Sequence, residues 1–397
     1  MAIFHKSFLP REETLEIAKK RKSLKIGIPK DEDRNENRIA ITPLAVELLI
    51  NQGHHVFLES GAGNDANFSD KDFSEKGASI VSSKSEVMKS DIIIKVSPFT
   101  FDEIEMLEET QLIISALNIA TLSVDYIRAL MNRKVTALAF ELIKDHDDCF
   151  PVLKSMSEIV GSTAILIAAE YLSKEKVGKG KILGGITGVN PSEVVILGAG
   201  TSGENAARTA LALGAMVKVF DNSINNLGKM QQNINQRIFT SVLQPKILRN
   251  ALKTADVVIG CMETLELSSP YLITEDMVEQ MKSGSVIIDI NIDQGGIFET
   301  SSLTSHAKPY FIKHGVIHYC VPNIASRVAR TASYALSNIF TPVLSHLGDS
   351  GGISSLIRED IGLRKGVYIY NGILTNSYIG DYFSITSKDI DLLIAAF

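Results

Sequence analysis

The chain has 397 residues, of which 45% are hydrophobic and 22% are charged, and 40 Lys and Arg against 46 Asp and Glu give a net charge of −6. This composition is typical of a globular protein with a sizeable core, and it excludes an intrinsically disordered chain. A weakly acidic chain is also a poor ligand for a phosphate backbone, so no nucleic-acid partner is expected.

The three cysteines, Cys149, Cys261 and Cys320, lie far apart in the sequence. Their spacing matches neither a zinc site nor a disulfide framework, so no metal is expected, and their odd number fits a reducing compartment. The N-terminus lacks the continuous apolar stretch of a secretory signal. The longest apolar stretch, Ala164–Leu172, is too short to span a bilayer. We therefore predict a cytoplasmic protein without a membrane partner.

Residues Met1–Ser23 carry charges of both signs and predict a leader helix. After it, short apolar runs alternate with segments of helical periodicity, which predicts βαβ units and a parallel sheet covered on both faces. The predicted strands of this first series are Lys25–Pro29, His55–Glu59, Asp91–Pro98, Gln111–Asn118 and Val135–Phe140.

The polar segment Lys144–Phe150 ends the first series, and Ser155–Leu172 then has the pattern of a long helix with Ser155 or Ser157 as its N-cap. A second series of alternating strands and helices follows, and a helical pattern at Arg330–Ser345 predicts a linker leading back. The predicted strands of the second series are Glu193–Leu197, Met216–Asp221, Val257–Cys261, Ser285–Ile290 and Val316–Tyr319.

The stretch Val194–Asp221 joins a strand, a GxGxxG motif, a helix and a second strand. Gly198 permits the tight turn, Gly200 lets the backbone approach a pyrophosphate, and Gly203 allows close contact of helix and strand. The N–H groups of the helix N-terminus, at Thr201 and Ser202, are free to bind phosphates. This context predicts a dinucleotide site; the alternative is a glycine-rich turn used only in packing.

Asp221 follows Gly203 by 18 residues, where the carboxylate that binds a ribose 2′-hydroxyl belongs. Because this carboxylate would repel a 2′-phosphate, the expected cofactor is NAD rather than NADP. Lys218 favours NADP, but its place inside the strand makes it a weak counter-signal.

Five segments resemble the alanine dehydrogenase / pyridine nucleotide transhydrogenase family, and the sequence looks more similar to the alanine dehydrogenase branch. In that family two Rossmann-like domains flank a cleft, and the first is completed by the C-terminal segment. The resemblance implies a doubly wound α/β fold with a substrate domain of residues 24–154 and 332–397 and an NAD-binding domain of residues 155–331. The segments are Ile26–Pro43, Ser155–Gly161, Val194–Asp221, Ile287–Thr300 and His314–Asn323.

The family reaction is the reversible oxidative deamination of L-alanine to pyruvate and ammonia, with hydride passing to NAD. The resemblance therefore implies an NAD-dependent amino-acid dehydrogenase whose partners are a small amino acid and its 2-oxo acid. It also implies a homo-oligomer, since the soluble enzymes of this family are usually hexamers.

Arg38 matches the family arginine that binds the substrate carboxylate, and Lys95 matches the lysine that binds the substrate and polarises its carbonyl or iminium group. Asp293 matches the aspartate that positions water or ammonia beside the nicotinamide. Ser157 and Asn323 are expected at the cofactor.

Asn118 stands where alanine dehydrogenases carry their acid–base histidine. A carboxamide donates and accepts hydrogen bonds but has no useful pKa, so Asn118 is a catalytic candidate that cannot shuttle a proton. Three explanations stay open: Asp293 and Lys95 carry the proton, another histidine such as His318 enters the cleft, or the substrate differs.

Further departures lie in the segment Ile324–Arg330, where Arg330 matches a family arginine and Arg327 is additional. Arg327 suits either a larger or more acidic substrate or a subunit contact. Glu263 replaces a residue that is usually apolar, and Asp289 is expected to be structural.

These departures keep three rival hypotheses open. The first is a related NAD oxidoreductase that acts on another amino or imino acid. The second is a nucleotide-binding subunit of a membrane transhydrogenase. The third is an NAD-binding regulatory protein without catalysis.

Overall fold

The computed structural model describes residues 23–119, 122–262, 271–349 and 352–395, and these form two sheets with helices on both faces. Most of the predicted leader helix (residues 1–22) and Glu263 lie outside the described residues. The strands are β1 Lys25–Ile28, β2 His55–Glu59, β3 Ser79–Val81, β4 Ile92–Ile94, β5 Leu112–Ser115, β6 Thr136–Ala139, β7 Glu193–Leu197, β8 Met216–Phe220, β9 Phe239–Ser241, β10 Val257–Gly260, β11 Val286–Asp289, β12 Tyr310–Lys313, β13 Val316–Tyr319, β14 Val367–Tyr370 and β15 Ile373–Leu374.

The helices of the described residues connect these strands and cover the sheets. They are α1 Pro43–Asn51, α2 Asp70–Ser74, α3 Lys84–Val87, α4 Phe101–Glu105, α5 Val124–Asn132, α6 Pro151–Ser173, α7 Thr201–Ala212, α8 Ile224–Ile234, α9 Pro245–Thr254, α10 Glu275–Glu279, α11 Ala329–Asp349, α12 Ile353–Glu359, α13 Ile361–Gly366, α14 Ser377–Phe383 and α15 Ile390–Ala395.

In the first sheet the strand order is β15-β14-β6-β5-β4-β1-β2-β3. The strands from β3 to β6 run parallel, and β14 and β15 add antiparallel strands beyond β6. Buried apolar side chains cover both faces, in two separate clusters. The predicted doubly wound sheet completed by the C-terminal segment is therefore confirmed.

The second sheet has the order β12-β13-β11-β10-β7-β8-β9, in which every pair is parallel except the antiparallel edge strand β12. The central strands β10, β11 and β13 are buried along their whole length, as unbroken apolar runs predict. Sequence analysis missed β3, β9, β12, β14 and β15. The strands β3, β9 and β12 lie at sheet edges with at most partial burial, so they lack the apolar run that identified the others. The C-terminal segment was expected to complete the first domain, but its strands were not located, although β14 is buried along its whole length.

Two long helices connect the sheets, and each predicted domain boundary falls within one of them and stays a prediction. The first helix, α6, begins at Pro151 rather than at Ser155, because proline is well tolerated at the first helical position. Neither Ser155 nor Ser157 is therefore its N-cap, because both lie inside the helix. Ser155 instead donates to the Pro151 carbonyl.

Helix α6 is also long and apolar enough to cross a bilayer by length and composition, as judged over the described residues. It buries Gly161, Ala164, Ile165, Ala168 and Leu172. The apolar ones among these side chains join the core between α7 and the second sheet. The core helix of a globular protein can have the same length and composition as a spanning helix, so these two properties are weak evidence for a membrane span.

Candidate functional site

Each sheet has one topological switch point, where the strand order reverses. In the first sheet it lies between β1 and β4, and in the second between β7 and β10. Ligands of open α/β sheets bind in the crevice at the carboxyl ends of the strands at such a point. The predicted substrate residues follow β1 and β4, and the predicted glycine motif follows β7.

The structure brings Arg38 and Lys95 together. Lys95 is the residue directly after β4, and Arg38 lies in the segment after β1. Both side chains line one small cavity with Asp31. The rest of the cavity wall is largely apolar, with Ile28 and Val96 among its residues. Two fixed cationic donors over a small apolar space suit a small substrate with a carboxylate and a carbonyl.

Glu36, which sequence analysis did not single out, orients the arginine. Its Oε1 accepts from Arg38 Nε at 2.7 Å and its Oε2 from Arg38 Nη2 at 2.6 Å. Arg38 Nη1 contacts the Met156 sulfur at 3.3 Å, a weaker acceptor. A planar guanidinium held along one edge keeps its other edge in a fixed direction, which favours recognition of a second carboxylate.

Asn323 reaches the same pair from the other sheet. It follows β13, its backbone is left-handed with φ 56°, and its Nδ2 donates to Glu36 Oε2 at 2.8 Å. Asn37 N donates to the Ser326 hydroxyl at 2.7 Å, which makes a second bridge. The residue predicted at the cofactor thus contacts the group that holds Arg38.

Two serines of α11 fix the backbone that carries Arg38. The hydroxyl of Ser333 accepts from Ile39 N at 2.9 Å, and that of Ser337 accepts from Thr42 N at 3.1 Å. Both hydroxyls are buried, so they satisfy N–H groups that would otherwise be unpaired. Serines on one helix face at four-residue spacing were the available signal in the sequence.

Lys95 belongs to a buried network of charges. Its Nζ lies 2.9 Å from Glu103 Oε2 and 3.9 Å from Asp31 Oδ1, and Lys84 Nζ lies 3.0 Å from the second oxygen of Glu103. Burial by itself raises the pKa of the Glu103 carboxyl, but the Lys95 ammonium and the hydrogen bonds outweigh burial, so this pKa lies below its ordinary value. Glu103 therefore stays ionised and holds the Lys95 ammonium at the end of β4.

Asn118 lies beyond the end of β5, the strand next to β4. Its backbone is left-handed with φ 42°, a conformation that asparagine tolerates well. The neighbouring strand positions place Asn118 and Lys95 at the same edge of the sheet.

The glycine motif has the geometry that a pyrophosphate needs. Gly198 has φ 116°, which favours glycine, and a Cβ on Gly203 would come within 2.0 Å of the Gly198 oxygen. A Cβ on Gly200 would meet no atom within 4 Å, so that position faces open space at the N-terminus of α7, next to Thr201 and Ser202. Helix N–H groups beside an open backbone surface form a cradle for an anion, and these residues fit a dinucleotide.

Helix α6 supports this cradle. A Cβ on Gly161 would come within 2.1 Å of the Ser202 oxygen, so α6 and the start of α7 are in backbone contact. Ser157 lies one turn before Gly161 on the same helix, which brings it to the same side as the glycine motif. Sequence analysis missed the role of Gly161, although glycine inside a helix costs about 1 kcal/mol and so signals a close approach.

Asp221 lies at the end of β8, where the ribose carboxylate was predicted. Its Oδ2 accepts from Ala199 N at 2.6 Å and its Oδ1 from Ser223 N at 2.7 Å, so it ties the glycine motif to the second strand. Lys218 pairs with Glu193 at 2.7 Å. Because Glu193 begins β7, Lys218 points to the amino ends of the strands, away from the motif.

Asp293 lies in a single 3-10 turn, Ile292–Gln294, beyond the end of β11. Desolvation in this loop raises the pKa of its carboxyl above the ordinary value. Among the described residues no hydrogen bond or ion pair joins Asp293 to Arg38 or Lys95. The structure thus places it at the carboxyl edge of the second sheet, without a contact to the substrate residues.

Asp289, the last residue of β11, lies beneath this loop. Its Oδ2 accepts from Ile297 N at 3.2 Å and from the Ser301 hydroxyl at 2.7 Å, whereas its buried Oδ1 has no hydrogen-bond partner among the described residues. Burial raises the pKa of this carboxyl to about 6. Asp289 therefore supports the loop that carries Asp293.

The Asp289 carboxyl is expected to make stability depend on pH. Because its pKa is higher in the folded than in the unfolded chain, the folded state binds this proton more tightly, and ionisation destabilises the fold. The free energy of unfolding should fall by about 3 kcal/mol as pH rises from about 4 to above about 6. In Asp289→Asn, urea denaturation should show a fall that is smaller by about 3 kcal/mol, because the other carboxyls still titrate. Asp125→Asn, an exposed control, should keep the full fall, and an unchanged pH profile in Asp289→Asn would contradict the assignment.

His318 does not enter the cleft. Its Nε2 lies 2.8 Å from the Thr300 hydroxyl, its Nδ1 lies 3.0 Å from the Val316 oxygen, and its ring stacks on Phe311. Burial lowers its pKa to about 4. It is a neutral part of the second sheet.

The two arginines of the segment Ile324–Arg330 both make contacts within the chain. The Arg327 guanidinium pairs with Glu170 on α6 and lies 6.0 Å from the ring centre of Tyr319. Arg330 donates to the Asn67 carbonyl and lies 4.2 Å from the ring centre of Phe68. Their contacts join this segment to helix α6 and to the connection between β2 and α2.

Two family models match the chain. Residues 27–160 match "Alanine dehydrogenase/PNT, N-terminal domain", and residues 164–377 match "Alanine dehydrogenase/PNT, C-terminal domain". The alanine dehydrogenase of Staphylococcus saprophyticus is 38% identical over 367 residues, which are 92% of this chain and 98% of that protein.

Solved structures agree with these matches. An L-alanine dehydrogenase superposes with a TM-score of 0.84 at 33% identity and covers 91% of this chain and 99% of its own. A transhydrogenase from Sinorhizobium meliloti shares the fold, with a TM-score of 0.75 at 22% identity over 89% of this chain and 99% of its own. With both family models spanning most of its length, the chain belongs to the alanine dehydrogenase/PNT family.

Proposed function

We propose that this protein catalyses the NAD-dependent oxidative deamination of L-alanine to pyruvate and ammonia, and the reverse reductive amination. One observation carries the proposal: Arg38 and Lys95 line the same small cavity at the switch point of the first sheet. The names of the relatives, alanine dehydrogenase and L-alanine dehydrogenase, support the same reaction.

Each side chain has a defined task. Arg38, held by Glu36, binds the substrate carboxylate through its remaining N–H groups, which fixes the Cα of the substrate. Lys95 donates to the carbonyl or imine group and stabilises the charge that develops there. Asn118 orients the same group by hydrogen bonding. Asp293 positions the water or ammonia that attacks, once closure of the cleft brings it to the substrate.

The expected cofactor is NAD, which supplies the acceptor for the hydride when it is bound. Gly198, Gly200 and Gly203 would leave room for its pyrophosphate, and Thr201 and Ser202 would donate to it. Asp221 would accept from the adenosine ribose, while Ser157 and Asn323 would lie near the nicotinamide. Lys218 is engaged elsewhere, which favours NAD over NADP.

The cavity favours a small substrate side chain. Its wall includes Ile28, Ile39, Ala62 and Val96, whose apolar side chains suit a methyl group better than a charged chain. We infer a cytoplasmic homo-oligomer, with the hexamer as the expected assembly of this family.

An amino-acid panel with NAD, followed by NADH absorbance, tests the proposal. We expect turnover with L-alanine, lower rates with larger side chains, and no comparable rate with NADP. Turnover with another amino acid and none with alanine would favour the rival substrate, which the Asn118 position motivates. Tight NADH binding without any turnover would favour a regulatory protein. Co-purification with a membrane subunit would favour a transhydrogenase component.

A further inference from the structure

Polar residues lie just after the carboxyl ends of three neighbouring strands of the first sheet. Lys95 follows β4, Asn118 lies beyond β5, and Glu141 lies in the 3-10 turn Phe140–Leu142 that follows β6. Because parallel strands lie side by side with their carboxyl ends at one edge, the Glu141 carboxyl is the next group along from Asn118. No role has been assigned to Glu141 in the reaction described above.

Among the described residues only one of the two carboxyl oxygens of Glu141 makes hydrogen bonds. Its Oε1 accepts from Leu117 N at 2.7 Å and from Asn118 N at 3.4 Å, so this oxygen holds the loop that carries Asn118. Its Oε2 is buried and has no hydrogen-bond partner within the described part of the chain. A buried carboxyl oxygen without a donor is costly when charged and is far better accommodated as a neutral O–H.

The surroundings of Glu141 offer no compensating cation. The ionisable groups that act on it from the packed elements are the hydroxyls of Tyr126 on α5 and Tyr368 on β14, and burial raises the pKa of both. Among the described residues no lysine or arginine lowers the pKa of the Glu141 carboxyl. Burial raises this pKa. By contrast, Lys95 and Lys84 neutralise Glu103 on the neighbouring helix.

We propose that Glu141 is the proton-transfer group of this cleft and acts through a water held at Asn118, where an imidazole would otherwise stand. This inference rests on the proposed function. Glu141 combines an oxygen anchored to the Asn118 loop with a second oxygen free to bind a proton. A carboxyl whose pKa is raised by burial can both accept and donate that proton.

The proton balance of the deamination is as follows. The ammonium group of the substrate first releases one proton to solvent, and after hydride leaves Cα of the neutral amine the substrate is an iminium ion. The oxygen of water forms a bond to the iminium carbon, and one proton of this water passes through the bridging water to the Glu141 carboxylate. The same proton returns to the nitrogen, and the C–N bond breaks with its electron pair going to ammonia. As the carbonyl of pyruvate forms, the hydroxyl proton passes through the bridging water to the Glu141 carboxylate, which is left as the protonated acid. Reductive amination reverses these steps and requires the protonated acid.

The test is Glu141→Gln, because the glutamine carbonyl can still accept from Leu117 N while the titrating group is lost. We expect kcat to fall by about 10² or more. In the wild type the deamination rate should rise, and the amination rate should fall, as pH increases through the Glu141 pKa. In Glu141→Gln both of these pH dependences should disappear. The infrared band of the protonated carboxyl should disappear with them, without any substrate present. NADH affinity and thermal stability should match the wild type.

Two further variants make the test specific. The double variant Asn118→His/Glu141→Gln should regain turnover with a pH limb near the imidazole value of about 6.5. Glu109→Gln, which removes an exposed partner of Lys134, should leave rate and pH profile unchanged.

Different failures are distinguishable. An inactive wild type would refute the proposed function itself. An active wild type with an unchanged rate and pH profile in Glu141→Gln would overturn the assignment of Glu141. An imidazole-like limb that persists in Glu141→Gln would also overturn it and would point to His306, whose ring hydrogen-bonds to the Asn323 backbone.

Discussion

Replacing Lys95 by methionine is expected to lower kcat for L-alanine by about 10³, because the donor that stabilises charge at the carbonyl or imine is lost. The same change should destabilise the fold by about 3 kcal/mol, since it leaves Glu103 buried with only Lys84 as a counter-charge. Steady-state kinetics and urea denaturation measure the two effects separately.

Two controls separate chemistry from folding. In Lys95→Met/Glu103→Gln the buried charge is also removed, so stability should return towards the wild type while turnover stays lost. Lys84→Met removes the other cation from Glu103 and should reduce stability while changing kcat only a few-fold. Wild-type turnover in Lys95→Met, or its recovery in the double variant, would contradict the role of Lys95.

Substitutions in the glycine motif are expected to have the second large effect. Different glycines should affect stability and NADH binding to different extents. Gly203→Ala places a Cβ within 2.0 Å of the Gly198 oxygen and 3.1 Å of the Cys261 sulfur, so α7 must move away from the strand. We expect a loss of about 3 kcal/mol in stability. NADH affinity should also fall sharply, because the helix N-terminus no longer faces the pyrophosphate.

Gly200→Ala should instead fold normally, because its Cβ meets no protein atom within 4 Å. It should weaken NADH binding by about 10-fold or more, since the methyl group enters the space needed by the pyrophosphate. Gly228→Ala is the matched control: it also meets no atom, it lies in the exposed face of α8, and it should gain about 0.5–1 kcal/mol without changing affinity. Fluorescence titration and thermal unfolding provide the readouts, and normal affinity in Gly200→Ala would contradict the proposed cofactor site.

Local sequence patterns were sufficient to predict the structure where strand, turn and helix are contiguous. The central strands of both sheets, the glycine turn at Gly198 and the position of Asp221 followed from apolar runs and fixed spacing. The start of α6 was predicted four residues late because a proline at the first helical turn was less visible than a serine cap. The strands β3, β9 and β12 were missed because exposure removes the apolar pattern, and β14 and β15 of the C-terminal segment were not located.

The sequence by itself determined the two doubly wound sheets, the family and the residue types of the cleft, because these depend on periodicity and on motifs read over short distances. Only the tertiary structure decided which groups meet: Glu36 with Arg38 and Asn323, Gly161 with Ser202, and Glu141 with the Asn118 loop. Burial and hydrogen bonding set the charge and direction of a side chain, and both depend on neighbours that are far away in the chain. For that reason the carboxyl that we propose for proton transfer is found in the packing of strand ends rather than in any motif.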